Sequence, residues 1–262
     1  MKKITQLKAN IYQFYGEKPS SHVYLVRGAD KNVLIDTGTT SNFSNVSECL
    51  QELGLKIEKI HFIILTHEHS DHTGATSLLF NTAMVSAHRL AANKIELQDE
   101  FVTMNKYLNT PGKQFYAHVW LEDNMLIDLG NYKLKVIHTP GHTSGCICVY
   151  ATKEGLLFSG DTVFANGVLS DIASSGNISD YLNSLERLST MKLSEMYPGH
   201  GRISQNPEQD MKQAVVHAGT MMEESKILFE ALTKKSGMPP LIKALFGKGG
   251  AKPQDTSIGK SQ

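Results

Sequence analysis

Four potential metal ligands fall within six residues at His67-Glu68-His69-Ser70-Asp71-His72, directly after the apolar run Phe62-Ile63-Ile64-Leu65. In an extended segment the side chains at i and i+2 point the same way, so His67 and His69 can reach one ion. The His-Glu-x-x-His spacing of a helical zinc site is absent. Asp71 and His72, after a change of chain direction at the start of a helix, could point to a second ion. Three further stretches put a polar ligand just past a strand and beside a glycine: Thr139-Pro140-Gly141-His142-Thr143, Ser159-Gly160-Asp161-Thr162 and Pro198-Gly199-His200-Gly201. Glycine lets the backbone come close to a ligand cluster, and loops at strand ends are where a rigid scaffold carries function. Imidazole and carboxylate donors without thiolate suit zinc and admit iron or manganese.

The segments between these motifs must supply the frame. Alternation predicts strands over Ile4–Tyr15, His22–Val26 and Val33–Ile35, with Gly28 and Asp30 turning the chain between the last two. Phe43, Val46, Leu50 and Leu53 recur at helical spacing, and Gly54 stops that helix. The buried strand Phe62–Leu65 then leads into the histidines. Leu97, Phe101, Met104 and Leu108 mark one face of a helix over Ala91–Leu108, ended by Thr110-Pro111-Gly112. Strands follow at Lys133–Ile137, Cys146–Tyr150 and Leu156–Phe158. A helix from about Ser179 to Met191 takes Ser179 as its N-cap, and a last long helix begins at Pro207. Strands and helices in this order make a mixed α/β domain.

With 262 residues, 40% of them hydrophobic, the chain can bury one sizeable core. We expect one domain over residues 1–246 and a disordered polar tail over 247–262. Twenty-six basic and 26 acidic residues cancel, so no global field draws the protein to nucleic acid or to an anionic membrane. An anionic ligand has to be held locally. Neither an export signal nor a membrane span is read from the pattern. The three cysteines, Cys49, Cys146 and Cys148, are too few for a disulfide framework and suggest a soluble protein of the cytoplasm.

In combination and in this order, His-x-His-x-Asp-His, Pro-Gly-His, Gly-Asp and Pro-Gly-His resemble the motifs of the metallo-β-lactamase superfamily across roughly residues 20–205, with the glyoxalase-II-like hydrolases the nearest subfamily. The resemblance implies a four-layer αββα sandwich of two mixed β-sheets with the site at one edge. It also implies two divalent ions: His67, His69 and His142 on the first, Asp71, His72 and His200 on the second, and Asp161 bridging. Asp36 matches the family's early Asp, which orients the ligands from behind. An Asp ending a strand in an Asx-turn is the alternative there.

Two such ions can lower the pKa of a shared water toward ~7 and supply hydroxide as nucleophile, with Asp71 accepting a hydrogen bond from it and carrying the proton to the leaving group. The expected substrate is a small acyl compound, a thioester or ester. Several departures narrow it. Asp161 stands where β-lactam-cleaving relatives often have Cys. Phe164 stands where many acyl-homoserine lactonases have Tyr. The C-terminal half lacks the Arg-x-x-Lys pattern associated with glutathione. Alternatives on the same scaffold are a phosphodiesterase or ribonuclease, an iron-dependent oxygenase or oxidoreductase, and a non-catalytic metal-binding module. Nucleic acid is not expected as a partner, because it needs a basic stripe.

His22 and Phe164 are candidate substrate contacts, and the helix near Leu97–Leu108 with the stretch Phe164–Ile172 forms the expected substrate wall. His61, His88, His118, His138 and His217 lack partners at ligand spacing and read as structural or solvated. Cys146 and Cys148 read as small buried hydrophobes.

Overall fold

Alternation along single strands decides how the layers stack. In β3 (Val23–Arg27), Val23 and Leu25 face one apolar cluster while Tyr24 and Val26 face another, as the two-residue period of a strand requires. A sheet apolar on both faces must be covered on both. The computed structural model describes residues 3–105 and 114–235, with side chains to residue 231, and shows how this is done.

Among the described residues the first sheet has seven strands in sequence order: β1 (Ile4–Lys8), β2 (Ile11–Phe14), β3, β4 (Asn32–Ile35), β5 (Phe62–Leu65), β6 (Met84–His88) and β7 (Val119–Leu121). Its first four strands pair antiparallel and β4 to β7 pair parallel. The second sheet runs β12-β11-β10-β9-β8, from β8 (Leu126–Asp128), β9 (Lys133–His138), β10 (Ile147–Ala151), β11 (Leu156–Gly160) and β12 (Glu195–Pro198). Only its β11/β12 pair is parallel.

Three apolar layers hold the sandwich. Tyr24, Ile35, Ile64, Val136, Val149, Phe158 and Tyr197 fill the space between the sheets. Outside the first sheet, Leu25, Leu34 and Ile63 pack on α1 (Phe43–Glu52) and α4 (Arg89–Glu96) through Val46, Leu50, Ala91 and Ile95. Outside the second, Ile137, Cys148 and Leu157 pack on α5 (Ile178–Ser189) and the start of α6 (Pro207–Lys235) through Tyr181, Leu185, Met211 and Ala214. This is the expected four-layer sandwich of two mixed sheets. The chain divides into units Met1–Met221 and Met222–Gln262. All the elements above lie in the first unit, apart from the later turns of α6.

Several expected boundaries move. Asn10 takes a positive φ of 64° and splits the first predicted strand into β1 and β2. The predicted helix over Ala91–Leu108 ends at Glu96. Gln98 and Met104 adopt φ of 52° and 61°, which no helix tolerates, and Leu97 and Phe101 are exposed. Leu108, the stop at 110–112 and the tail at 247–262 lie outside the described residues. The N-cap of α5 is Asn177, whose side chain accepts from Asp180 N, in place of Ser179.

Candidate metal centre

Four strands end at one edge of the sandwich and each delivers part of a cluster. β5 runs into Thr66-His67-Glu68-His69, and the short helix α2 (Ser70–Thr73), followed by α3 (Thr76–Leu79), carries Asp71 and His72. β9 ends just before the loop of His142, β11 before Asp161 and β12 before Gly199-His200. β9 and β11 point the same way because both are antiparallel to β10, and β12 runs parallel to β11. The sheets are tied together at this edge by Ile147 N–H donating to Thr66 O at 2.8 Å.

The seven residues gather in two groups, His67, His69 and His142 in one and Asp71, His72, Asp161 and His200 in the other, with ligand atoms within 4.8 Å of one another in each. His142 Nε2 is 3.0 Å from His69 Nδ1. His72 Nε2 is 3.1 Å from Asp161 Oδ1, and His200 Nε2 is 3.0 Å from Asp71 Oδ2 and 3.7 Å from Asp161 Oδ2. The groups adjoin, with the His67 and His72 ring centroids 4.2 Å apart.

Whether cations fit can be judged from the unsatisfied atoms. His67 Nε2, His69 Nε2, His72 Nε2 and Asp161 Oδ1 are buried without making a hydrogen bond, the last two facing each other at 3.1 Å without forming one. Four such orphans in one place are costly, and a bound ion is an accepted explanation for them. Gly199 makes the same case sterically: a Cβ there would meet Asp161 Oδ1 at 2.4 Å and His72 Cε1 at 2.5 Å. The donor set therefore fits divalent metal.

The charges suit that role. Burial, then His72 and His69, push His67 well below the usual imidazole range, and burial with His142 lowers His69 to about 4. Both are neutral near pH 7 and able to ligate. Burial alone would raise Asp161 and Asp71, but His72 and His200 outweigh it and hold both below the usual carboxylate range. His72 differs: burial would lower it, but Asp161, Asp36 and Asp71 outweigh that and hold it well above its ordinary value, so a cation binding at Nε2 has to displace the proton these carboxylates hold there.

Behind the ligands, Asp36 sits at φ 61°, a left-handed conformation that Asp tolerates better than most residues. It accepts from Thr66 N–H at 2.7 Å, from Thr66 Oγ1 at 2.8 Å and from His72 Nδ1 at 2.7 Å. His142 Nδ1 donates to the Asp171 carbonyl. Such outer partners fix the tautomer of a ligating histidine. Residue types did not point to Thr66, to Glu68 in any role, or to Tyr181, whose hydroxyl donates to Thr162 O at 2.7 Å and accepts from Ser170 N–H at 3.1 Å. A carbonyl such as that of Asp171 has no residue-type signal at all.

His22 uses both ring nitrogens on backbone groups, accepting from Gly16 N–H at 3.1 Å and donating to Gly201 O at 2.9 Å. It therefore holds the loop of His200. The Phe164 ring lies edge-on to that of His200 at 6.3 Å. The wall segment after α4 touches the centre through Thr103 O, which accepts from Ser70 N–H at 2.8 Å. The remaining histidines are engaged elsewhere: His61, His118 and His217 bond to backbone, and His88 stacks on His138 at 3.8 Å.

Comparison with known proteins agrees with this geometry. The family model described as "Metallo-beta-lactamase superfamily" matches residues 17–200. The chain is 30% identical over 214 residues to "Acyl-coenzyme A thioesterase MBLAC2" of Homo sapiens, covering 72% of this chain and 75% of the human protein. It is 35% identical over 207 residues to the "Probable metallo-hydrolase" of Methanocaldococcus jannaschii, covering 75% and 93%. The crystal structure of a metallo-beta-lactamase family protein from Thermus thermophilus superposes with a TM-score of 0.70 at 24% identity, covering 84% of this chain and 82% of that one. With the motifs, the sandwich and the clustered donors in agreement, the chain belongs to the metallo-beta-lactamase superfamily.

Proposed function

We propose that the protein hydrolyses a small acyl substrate, a thioester or ester, with two divalent ions held by the seven clustered residues. The observation that carries this reading is the pair of adjoining donor groups with four orphaned buried atoms. His67, His69 and His142 would hold the first ion, and Asp71, His72, Asp161 and His200 the second. Zinc is the first candidate, since the donors are imidazole and carboxylate, with iron and manganese admitted by the same set. When bound, such ions supply an activated water and polarise the substrate's carbonyl oxygen.

The chain's own residues then divide the work. Asp71 is ionised under the influence of His72 and His200 and is the most exposed carboxylate of the centre, at 18% of its side chain. It is the group to take a proton and pass it to the leaving thiol or alcohol. Asp36 and the Asp171 carbonyl keep His72 and His142 turned to present Nε2. Phe164 lines the approach beside His200 and offers an apolar surface to an acyl chain. The human relative named a thioesterase for acyl-coenzyme A supports an acyl substrate, and the zero net charge argues against polynucleotides.

The catalytic domain is proposed to span residues 1–246. No helix of the described residues is long and apolar enough to cross a membrane. The three cysteines are unpaired and buried, which supports a reducing compartment such as the cytoplasm. The test is kcat/KM for thioesters, lactones, a phosphodiester and single-stranded RNA on one metal-replete preparation. A thioester or ester is expected to lead. Cleavage of RNA or the phosphodiester about a hundredfold better than every acyl substrate overturns the reading.

A further inference from the structure

We propose that Glu68 is a positioning residue, a latch that joins the loop of His142 to the segment 171–177 that orients it. The inference rests on the reading of His142 as a ligand of the first ion.

Glu68 lies between two of the clustered histidines and is fully buried. Its Oε2 accepts from Thr143 Oγ1 at 2.9 Å and its Oε1 from Ser175 Oγ at 3.0 Å. Thr143 follows His142 directly. Ser175 belongs to the segment whose Asp171 carbonyl accepts a hydrogen bond from His142 Nδ1. One carboxylate thus joins three pieces of chain: its own loop with His67 and His69, the loop with His142, and the segment that fixes the His142 ring.

Backbone bonds run along the same seam. Ala173 N–H donates to His142 O at 2.9 Å, Asn177 N–H to Gly141 O at 3.0 Å and Ser144 N–H to Ser175 Oγ at 3.3 Å. The seam has no slack: a Cβ on Gly176 would meet Gly141 O at 2.1 Å and His142 O at 2.3 Å, and one on Gly145 would meet Glu68 Oε2 at 2.7 Å. A leucine at 68 would fill similar space without desolvating a carboxyl group. Only the carboxylate offers two acceptors aimed at two loops at once.

The test titrates metal-free full-length protein with cobalt(II) against a competing chelator, resolving the two affinities and the absorption spectrum of the three-imidazole site. Glu68→Ala is expected to weaken the first ion about 10–100-fold and to change that spectrum, leaving the second ion within roughly twofold. Glu68→Gln accepts from one hydroxyl and donates to the other, so it is expected to recover most of the loss. If Glu68→Ala leaves both affinities unchanged, or weakens both in parallel with the unfolding temperature and no spectral change, the latch is overturned. Should Glu68→Ala not fold, Ser175→Ala removes one end of the latch together with the bond from Ser144 N–H and is expected to weaken only the first ion; unchanged binding overturns the proposal. His142→Ala separates the two levels of argument, because retention of the first ion there removes the ligand reading on which the latch depends.

Discussion

Asp36→Asn is nearly isosteric and separates two roles for this residue. Its Oδ1 accepts from Thr66 N–H at 2.7 Å, which an amide oxygen can still do. Its Oδ2 accepts from His72 Nδ1 at 2.7 Å and from Thr66 Oγ1 at 2.8 Å, and an NH2 group there faces two donors. The threonine hydroxyl can rotate and accept. The imidazole can adjust only by leaving Nδ1 bare and carrying its proton on Nε2. That nitrogen lies 3.1 Å from Asp161 Oδ1, where the second ion is proposed to sit. Disturbing an outer partner of this kind costs about 10–100-fold in metal affinity, or roughly 1.4–2.7 kcal/mol. Exchanging charge-assisted hydrogen bonds for neutral ones should cost the metal-free fold only about 1–2 kcal/mol. Chelator competition with elemental analysis reads the first quantity, and urea denaturation of metal-free protein reads the second. If Asp36 merely ended a strand in an Asx-turn, Asn would serve as well. Wild-type affinity for both ions in Asp36→Asn therefore refutes the tautomer argument.

Gly199→Ala puts a methyl 2.4 Å from Asp161 Oδ1 and 2.5 Å from His72 Cε1. It is expected to lose the second ion and about 1–3 kcal/mol of stability, whereas two ions and an unchanged unfolding midpoint contradict the packing. Tyr181→Phe leaves the Thr162 carbonyl and the Ser170 N–H without their hydroxyl, at a cost of about 1–3 kcal/mol in urea denaturation; no measurable loss means that water replaces it. Burial, then His138 and Arg89, lower His88 to about 4. Its folded pKa thus lies below the ordinary 6.5, so the unfolded chain takes up the proton first and stability falls as pH drops from about 6.5 to about 4, by no more than about 3 kcal/mol. His88 Nδ1 accepts from Leu90 N–H at the start of α4; His88→Asn, which can still accept there, should flatten that part of the curve, and an unchanged slope rules the cause out. Phe164→Tyr should shift the ratio of kcat/KM between thioesters and lactones with metal content unchanged; parallel loss of metal makes Phe164 a support of the centre.

The seven candidate ligands were legible because a strand end followed by histidine or aspartate beside glycine is a local pattern. That pattern survives folding: four strands end at one edge and bring the residues together. The sandwich was legible for the same reason, since two-residue alternation in β3 and the helical spacing of Phe43, Val46 and Leu50 each name a buried face. What stayed hidden was non-local. β7 and β8 are three residues long, and β6 and β12 mix apolar positions with Ser86, His88, Glu195 and Pro198, so neither alternation nor an apolar run marks them as β4 and β5 are marked. The apolar positions Leu97 and Phe101 imitate a helix face, but the backbone turns at Gln98 with φ of 52°, and no intrinsic propensity announces that. Glu68 reads as a charge beside ligands, and its latch depends on hydroxyls 75 and 107 residues away.

The most direct test of the central claim is the metal content of protein purified without added metal and again after zinc supplementation, paired with Asp161→Ala. Two ions per chain in the supplemented wild type, with loss of metal in Asp161→Ala, is the predicted result. A content that stays near one under supplementation, or an Asp161→Ala protein that keeps two, contradicts a centre built by these seven residues.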